Sequence, residues 1–227
     1  MKKHYFSRFE LTLWSVSVFA VVLSFVLFDR VHYLTLAASL VGVTSLILNA
    51  KGNPLGQLLM VVFSLLYGII SFGFAYYGEM ITYLGMTMPM AVVALIAWLR
   101  HPYRGNRAEV EVGKLCKTET AVMWLLTAVV TVLFYFILAF FDTANLIPGT
   151  VSVATSFLAV YLTFRRSPFF ALAYAANDLV LIVLWVLASI DDTRYLSVVV
   201  CFAAFLVGDL YGFASWRRMS QRQAGAE

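Results

Sequence analysis

Charged residues are scarce in this sequence. Only 12% of its 227 residues carry charge, whereas 62% are hydrophobic and the mean hydropathy is +0.87. A water-soluble domain of this length cannot bury so much apolar surface, so the composition excludes that class and predicts a protein of the lipid bilayer. The start MKKHYFSRFELTLW is basic and then apolar, but no small-residue cleavage site follows its first apolar run. We therefore interpret it as a retained first span rather than a removed signal peptide.

Cysteines and nucleotide-binding loops are equally sparse. The two cysteines, Cys116 and Cys201, fall in a basic polar loop and in an apolar run, which does not suggest a disulfide. No C-x-x-C motif or Cys/His cluster suggests a metal, and no G-x-x-x-x-G-K-[ST] loop suggests that the chain uses ATP. We therefore expect no cofactor, no metal and no enzymatic activity.

Long apolar runs fill most of the chain. A helix that crosses the hydrocarbon needs about 20 mostly apolar residues, and eight runs reach that length. They are 10–28, 32–50, 55–77, 80–99, 120–141, 146–164, 168–190 and 195–216. The links between them are short, except for HPYRGNRAEVEVGKLCKTE from His101 to Glu119. The sequence predicts an all-α polytopic membrane protein.

Basic residues are distributed unevenly along this map. With the N-terminus placed in the cytoplasm, 14 of the 16 Lys and Arg residues fall on the cytoplasmic side, Lys2 and Lys3 among them. The two on the outer side are Arg30 and Arg194. Because cytoplasmic loops carry an excess of Lys and Arg, we expect both termini to be cytoplasmic. The same rule accounts for the net charge of +4 without nucleic acid as a partner.

Two stretches share an ordered set of features. VGVTSLILNAKGNPLGQL begins at Val41 and VSVATSFLAVYLTFRRSPFF at Val151. Each contains Thr-Ser and a basic turn closed by proline, and is followed by an acidic outer turn (Gly78-Glu79 or Asp191-Asp192) and by a tryptophan before basic residues. Both triplets of spans run in the same direction, which is a transporter design with the substrate site near the membrane midplane.

The repeats divide the chain into five parts. We predict a cytoplasmic N-terminus with an additional first helix (1–31), a first three-helix repeat (32–100), a cytoplasmic loop with a linker helix (101–145), a second three-helix repeat (146–218) and a cytoplasmic tail (219–227). The linker helix restores the orientation, which gives a 3+1+3 plan of parallel repeats.

Several stretches resemble the PnuC family of bacterial vitamin transporters, which shares the plan of full-length SWEET sugar transporters. They are NAKGNPLGQLLMVVFSLLYGIISFGFAYYGEMITYLGMTMPMAVVALIAWLRHPY (49–103), AYAANDLVLIVLW (173–185) and GDLYGFASWRR (208–218). The Tyr-Gly-Glu-Met turn and the Asp-x-Tyr-Gly ending before Trp-Arg are the more specific parts. The resemblance covers residues from about 30 to 218.

The resemblance implies import of nicotinamide riboside by facilitated diffusion across a bacterial cytoplasmic membrane. Alternating access moves the nucleoside, and phosphorylation by a cytoplasmic kinase traps it. The same fold carrying thiamine, riboflavin or a (deoxy)nucleoside is the alternative, and coupling to protons or sodium stays open. The resemblance also suggests a homo-oligomer, with a trimer as one form.

Two carboxyl groups, Asp178 and Asp209, lie well within spans, where a charge costs at least a few kcal/mol. Two intramembrane aspartates also suggest an aspartyl protease, in which the pair shares a proton. Such proteases resemble G-x-G-D, but Leu206-Val207-Gly208-Asp209 lacks the first glycine. Asp209 pairing with Arg217 is a structural alternative.

Nicotinamide riboside has a flat cationic ring, a carboxamide and a ribose, so its carrier needs aromatic faces, amides and carboxyl groups. Tyr174, Asp178 and Trp185 share one face of the seventh span, with Asn177 beside it. The predicted substrate-binding residues are Asn177, Trp185, Asp178, Tyr174, Asp209, Gln57, Tyr67 and Thr155. A hydroxyl such as that of Thr155 is as often bonded to its own helix.

Tryptophans near span ends have a second interpretation. Trp14, Trp98, Trp124 and Trp216 are predicted to lie in the aromatic belt at the membrane surface. Trp185 is about five residues from the outer end of its span, so that belt and ligand roles both stay open for it.

Overall fold

The computed structural model describes residues 5–73, 76–143 and 145–225, so Lys2, Lys3 and the last two residues of the tail lie outside it. Within these ranges, eight helices are long and apolar enough to cross a membrane. They are α1 (Arg8–Asp29), α2 (Tyr33–Ala50), α3 (Pro54–Gly73), α4 (Tyr77–Arg100), α5 (Lys117–Phe140), α6 (Leu146–Phe164), α7 (Phe170–Ser189) and α8 (Thr193–Ala224). The eight predicted spans are confirmed, and α8 extends beyond its predicted end.

Local sequence explains how α1 begins. Ser7 and Glu10 form a capping box, in which the Ser7 hydroxyl accepts from the Glu10 amide at 3.2 Å and the Glu10 carboxylate accepts from the Ser7 amide at 2.6 Å. The buried Glu10 carboxylate also binds Lys51 at 3.2 Å and the Tyr211 hydroxyl at 2.8 Å. This acid therefore fastens α1 to α8 and to the turn after α2.

The fourth span is not a regular helix. Its residues Tyr83–Thr87 form a π-helical turn between the α-helical segments Tyr77–Thr82 and Met88–Arg100. Pro89 follows this turn and has no N–H to donate to the residue four positions earlier. The π-helical turn lies where this backbone hydrogen bond cannot form. Such π turns are frequent at functional sites.

The long link contains an element that the sequence did not predict. Strands β1 (Pro102–Tyr103) and β2 (Asn106–Val110) pair in antiparallel fashion. Arg104 and Gly105 join them with positive φ angles of 50° and 79°. Two successive residues in this region are typical of the tight hairpin turn whose twist matches the strands.

Six helices form a closed ring. In order around it, α2 packs on α3, α3 on α4, α4 on α6, α6 on α7, α7 on α8, and α8 on α2 again. Helix α1 packs outside against α2 and α8, and α5 packs outside against α6. Since each triplet contributes three consecutive positions, α3 and α7 face each other across the ring. This arrangement supports the two predicted parallel repeats.

The turn after α2 and the turn after α6 lie at the same end of the ring, which we name the hairpin end. The two turns have matching backbone conformations. Gly52 and Arg166 both adopt positive φ, at 67° and 56°. The backbone amides of the next residues, Asn53 and Ser167, each donate a hydrogen bond of 3.0 Å to the carbonyl five residues earlier. Pro54 and Pro168 then open α3 and the turn before α7.

Residues 102–115, which contain the two strands and are here named the hairpin segment, join these two matching turns. The Val110 amide donates to the Gly52 carbonyl at 2.9 Å, and the Gly113 amide donates to the Arg166 carbonyl at 3.0 Å. Gln223 on α8 holds the segment from the other side, since its side chain bonds the Val112 amide at 2.8 Å and the Val110 carbonyl at 3.1 Å. The segment therefore straps the two repeats together at equivalent positions.

A reciprocal pair of tryptophans lies beneath this strap. Trp98 at the end of α4 donates its indole N–H to the Thr163 carbonyl of α6 at 2.9 Å. Trp216 of α8 donates to the Asn49 carbonyl of α2 at 2.7 Å. Each repeat therefore bonds the other through the same kind of contact, and the two indole rings meet with centroids 5.3 Å apart.

The predicted belt position is therefore wrong for Trp98 and Trp216, both of which are 0% exposed. Each helix turns its last tryptophan toward the other repeat rather than toward lipid. Trp124, at 57% exposed, and Trp14, at 37%, lie on outer faces as an aromatic belt requires.

Replacing either indole by a phenyl ring tests the reciprocal pair. Trp98→Phe and Trp216→Phe each remove one interhelical hydrogen bond, which contributes about 1 kcal/mol. We expect the two variants to lower the melting temperature in detergent by similar amounts, about 2–4 °C each. Trp124→Phe is the matched control and should leave the melting temperature unchanged. A loss confined to one of the two variants would contradict the equivalence.

Candidate functional site

Two carboxyl groups meet inside the ring. Asp178 of α7 and Asp209 of α8 are 3% and 5% exposed, and their carboxyl groups interact electrostatically with each other. Asp178 Oδ2 is buried, and no N–H or hydroxyl group of the described residues reaches it. Two neighbouring buried carboxylates repel each other strongly, and a proton on one of them relieves this repulsion, so the pair is expected to have at most one negative charge.

The charge on this pair has no protein counter-ion. No Lys or Arg among the described residues forms an ion pair with either aspartate. The alternative in which Asp209 pairs with Arg217 is therefore excluded, because Arg217 instead lies over the Phe213 ring, 5.9 Å from its centroid. A buried negative charge without a counter-ion provides a site for a cation.

Two tyrosines, one from each repeat, lie near the acid pair. Tyr174 interacts electrostatically with both aspartates. Tyr83, which lies in the π turn of α4, interacts with Asp178 and with Tyr174. Tyr83 also packs on Tyr67 of α3, with ring centroids 4.4 Å apart. Both repeats therefore contribute aromatic faces beside the carboxyl groups.

A second aromatic layer closes the ring at its opposite end. The Trp185 indole N–H donates to the Tyr67 hydroxyl at 2.7 Å, which joins α7 to α3 across the ring. Tyr76 and Tyr195 pack on Trp185, with centroids 4.9 and 5.4 Å away. Trp185 is 0% exposed, so the belt interpretation is excluded and it lies inside the bundle.

Asn177 lies in the seam between α6 and α7. Its Oδ1 is within hydrogen-bond distance of three hydroxyl groups of α6, those of Thr155 at 2.8 Å, Ser156 at 3.0 Å and Ser152 at 3.3 Å. Thr155 also bonds its own helix, through the carbonyls of Val151 and Ser152. Hydroxyl groups of α6 surround this oxygen and orient the amide, and the NH₂ group has no acceptor among the described residues.

Gln57 lies in the corresponding seam between α2 and α3. The Ser45 hydroxyl donates to the Gly56 carbonyl at 3.0 Å, so it accepts from Asn49 Nδ2 at 3.2 Å. Asn49 Oδ1 then accepts from Gln57 Nε2 at 2.8 Å. This chain of donors fixes the direction of every bond and leaves Gln57 Oε1 buried without a partner.

The sequence analysis missed one acidic residue of the interior. It placed Glu79 in an outer turn, whereas α4 begins before this residue and buries it to 4% exposed. Its carboxyl group lies near Ser152 and interacts electrostatically with Tyr67 and Tyr83, while Oε2 has no partner among the described residues. The Tyr-Gly-Glu-Met motif was the available signal, because it placed an acid at the start of an apolar run.

The predicted residues thus fall into three places. Asp178, Asp209 and Tyr174 meet at the centre, and Tyr67 and Trp185 form the opposite layer. The amide residues Asn177 and Gln57 lie in the two seams with Thr155 beside the first. The chemistry on offer is cation stabilisation, aromatic stacking and amide hydrogen bonding. Within the described residues, no cluster of three potential metal ligands occurs.

The family comparison decides the class of protein. The model of the nicotinamide mononucleotide transporter family matches residues 32–218. The chain belongs to this family. It is a multi-pass membrane transporter and not an enzyme, which confirms both predictions and excludes the intramembrane protease alternative.

Individual relatives agree with the family. The nicotinamide riboside transporter PnuC of Neisseria mucosa is 25% identical over 225 residues, covering 96% of this chain and 84% of the relative. The same-named transporter of Haemophilus influenzae is 22% identical over 190 residues, with coverage of 84% and 81%. A crystal structure of the vitamin B3 transporter PnuC superposes with a TM-score of 0.84 at 22% identity, covering 96% of this chain and 94% of that one. The family resemblance is confirmed, and the superposition confirms the all-α membrane fold.

Removing one hydroxyl tests the opposite layer. Tyr67→Phe keeps the ring that packs on Tyr83 but removes the 2.7 Å bond to Trp185, which contributes about 1 kcal/mol. We expect the opposite end to open more often, so that a water-soluble quencher reaches more of the tryptophan fluorescence. Tyr135→Phe, an exposed position on α5, is the control and should leave quenching unchanged. Equal quenching of the wild type and Tyr67→Phe would contradict a closing role for the bond.

Proposed function

We propose that this transporter carries nicotinamide riboside, and the observation that carries the proposal is the acid pair among aromatic rings. The riboside has one positive charge on a flat ring. A pair of carboxyl groups that shares one proton has one negative charge, and the Tyr83 and Tyr174 rings beside it favour a cation over their faces. The charges of site and substrate therefore balance in a medium where an unbalanced charge is costly.

The same charge argument separates the riboside from its phosphorylated form. A mononucleotide adds a phosphate group, which reverses the sign of the ligand's net charge at neutral pH. The ring interior contributes Asp178, Asp209 and Glu79, with no Lys or Arg paired to them among the described residues. Phosphate recognition uses Arg, Lys or a helix N-terminus, so this interior favours the nucleoside over the nucleotide.

Contacts to the remainder of the riboside follow from the unpaired amide groups. We assign the NH₂ group of Asn177 as a donor and Gln57 Oε1 as an acceptor for the carboxamide or ribose. Trp185 and Tyr67 provide aromatic surface at the opposite end of the site, and Thr155 orients Asn177. In this assignment α3 and α7 hold the substrate from opposing sides.

The two aromatic layers suggest how access alternates. Trp98 and Trp216 close the hairpin end and Trp185 with Tyr67 closes the opposite end, and all three tryptophans are fully buried. We assign this conformation as occluded. Breaking one layer at a time opens the site to one side, as expected for rocking of one repeat (32–100) against the other (146–218).

The hairpin end is assigned to the cytoplasm because the basic turns, the hairpin and the basic residues of α8 lie there. Transport is then facilitated diffusion into the cell, with phosphorylation by a cytoplasmic kinase trapping the product. The trap is consistent with a site that rejects phosphate, since the nucleotide cannot return through the carrier. A homo-oligomer, with a trimer as one form, fits the exposed apolar outer faces of α1 and α5.

Uptake into proteoliposomes tests the substrate. With no ion gradient imposed, we expect saturable uptake of labelled nicotinamide riboside that the unlabelled riboside blocks and the mononucleotide does not. Thiamine is also a cation, so it tests whether charge alone suffices, whereas riboflavin and deoxynucleosides test neutral rings. Inhibition by the mononucleotide at the same concentration as the riboside would contradict the charge argument. Uptake of thiamine but not of the riboside would show that thiamine is the substrate instead.

A membrane potential distinguishes passive uptake from proton exchange. If the riboside moves as a cation alone, an inside-negative potential drives uptake by about 2.3 kcal/mol per 100 mV. If its charge instead displaces the shared proton outward, the potential has no such effect and the vesicle interior becomes alkaline. A potassium gradient with valinomycin, together with an internal pH dye, separates these two outcomes.

Charge removal tests the acid pair directly. The double variant Asp178→Asn with Asp209→Asn keeps the shape of both side chains but removes the single negative charge of the pair, so KM for the cationic riboside should rise at least about tenfold. Either single variant leaves one carboxyl group that can carry this charge, so its KM should rise less. Glu10→Gln is the matched control, since that carboxylate is buried at the hairpin end against Lys51. The control should lower the melting temperature while leaving KM unchanged. Unchanged KM in the double aspartate variant would contradict a place for the pair in the substrate site.

A further inference from the structure

A groove on the outside of the ring has no role in the proposed transport path. It encloses about 750 Å³ at the hairpin end, between the starts of α5 and α7, the end of α6, the last turns of α8 and residues 113–115. This volume is that of a site for a molecule much larger than water. The groove is separate from the acid pair, since neither aspartate lines it.

Most of the groove wall is apolar. Its apolar side chains come from α5, α6, α7, the turn before α7 and the hairpin segment, and they include Leu115, Met123, Trp124, Leu158, Leu162 and Phe169. Trp124 and Phe169 are both exposed, on surfaces where α5 and α7 face lipid. The groove therefore opens toward the bilayer near the level of the headgroups, where aromatic side chains concentrate.

Two cations stand at the same groove. Lys114 and Arg217 both line it and both are exposed. Neither forms an ion pair within the described part of the chain, whereas the nearby Arg165 and Arg222 pair with Glu119 and Glu109. An apolar groove with two unpaired cations at its rim matches a molecule with an apolar chain and an anionic head.

A second copy of the chain is a poorer occupant. A copy in the same orientation presents its own hairpin end, where the described carboxylates already face cations: Glu10 with Lys51, Glu109 with Arg222, Glu119 with Arg165 and Glu111 with Arg166. Such a copy brings apolar surface but no free acid for Lys114 and Arg217. A phospholipid brings both its chains and its phosphate.

We propose that this groove binds an anionic phospholipid of the leaflet at the hairpin end, with its headgroup between Lys114 and Arg217 and an acyl chain against Trp124. Both cations act on the same phosphate-bearing headgroup, and each strengthens binding by about fivefold at an anionic surface. The bound lipid would fill the space between α5 and the second repeat and hold the linker helix against the ring. This site is independent of which solute the carrier moves.

Trp124 provides the probe for a binding test. The full-length protein is reconstituted in phosphatidylcholine vesicles that contain a small fraction of chain-brominated phosphatidylglycerol, which quenches tryptophan only on contact. The signal from Trp124 is obtained by subtracting the quenching of Trp124→Phe. We expect quenching of Trp124 to exceed the bulk fraction of brominated lipid, and brominated phosphatidylcholine at the same fraction to give no such excess.

Variants of the two cations decide the outcome. Lys114→Gln with Arg217→Gln should reduce the excess at least about fivefold, while Arg107→Gln, an exposed hairpin cation outside the groove, should retain it. Quenching that only follows the bulk fraction in the wild type would overturn the proposal. So would an excess that survives loss of both cations, or Trp124 that neither lipid quenches, as a protein partner in the groove would cause. Riboside uptake is measured in the same vesicles, so that failure of the transport proposal is seen separately.

Discussion

Lipid offers no hydrogen bonds, and this constraint governs the whole structure. Every polar group within the bilayer must find its partner inside the protein or carry the cost of having none. Most do find one: Ser45, Asn49 and Gln57 form a directed chain, and the hydroxyls of α6 surround Asn177. The exceptions are therefore informative. Several hydroxyls of the spans are among them, and so are the amide and carboxyl oxygens Gln57 Oε1, Glu79 Oε2 and Asp178 Oδ2, which are buried without partners among the described residues and come from both repeats.

The same constraint explains how two weakly similar repeats hold together. Neither triplet encloses a polar interior alone, since α3 and α7 face each other only when the ring is complete. The reciprocal bonds of Trp98 and Trp216 satisfy a helix-terminal carbonyl of each repeat with a donor from the other. The hairpin segment adds a second reciprocal link one layer further out, at Gly52 and Arg166. Opening the hairpin end must therefore separate both layers, whereas the opposite end has no such strap in the described residues.

Features that depend on bilayer thickness, such as the number of spans, could be predicted from the sequence. Features that depend on the direction in which a side chain points could not. The eight spans followed from the length of apolar runs, and the family from motifs at the start of the fourth span and at the end of the eighth. Trp98 and Trp216 were misplaced because a tryptophan near a span end has the same sequence signature whether it faces lipid or a neighbouring helix. Glu79 was misplaced because the helix begins at Tyr77, three residues before the predicted start, which turns a predicted loop acid into a buried one. The order of helices in the ring depends on distant contacts, such as α4 with α6, which periodicity does not encode.

The two repeats are not chemically equivalent, and this difference bears on how a cation crosses. From their matching prolines, α3 and α7 run in register, which places Ser64 opposite the position of Asp178. From their matching tryptophans, α4 and α8 place Ala91 opposite Asp209. The second repeat thus supplies both acids of the pair, and the first supplies Tyr67, Tyr83, an amide and the separate carboxyl group of Glu79. Because both members of the pair belong to one repeat, the pair moves as a unit with that repeat, so that the proposed cation would stay neutralised while access changes sides. A symmetric pair of acids divided between the repeats would separate during the same motion and leave a carboxylate unpaired in a medium of low dielectric constant.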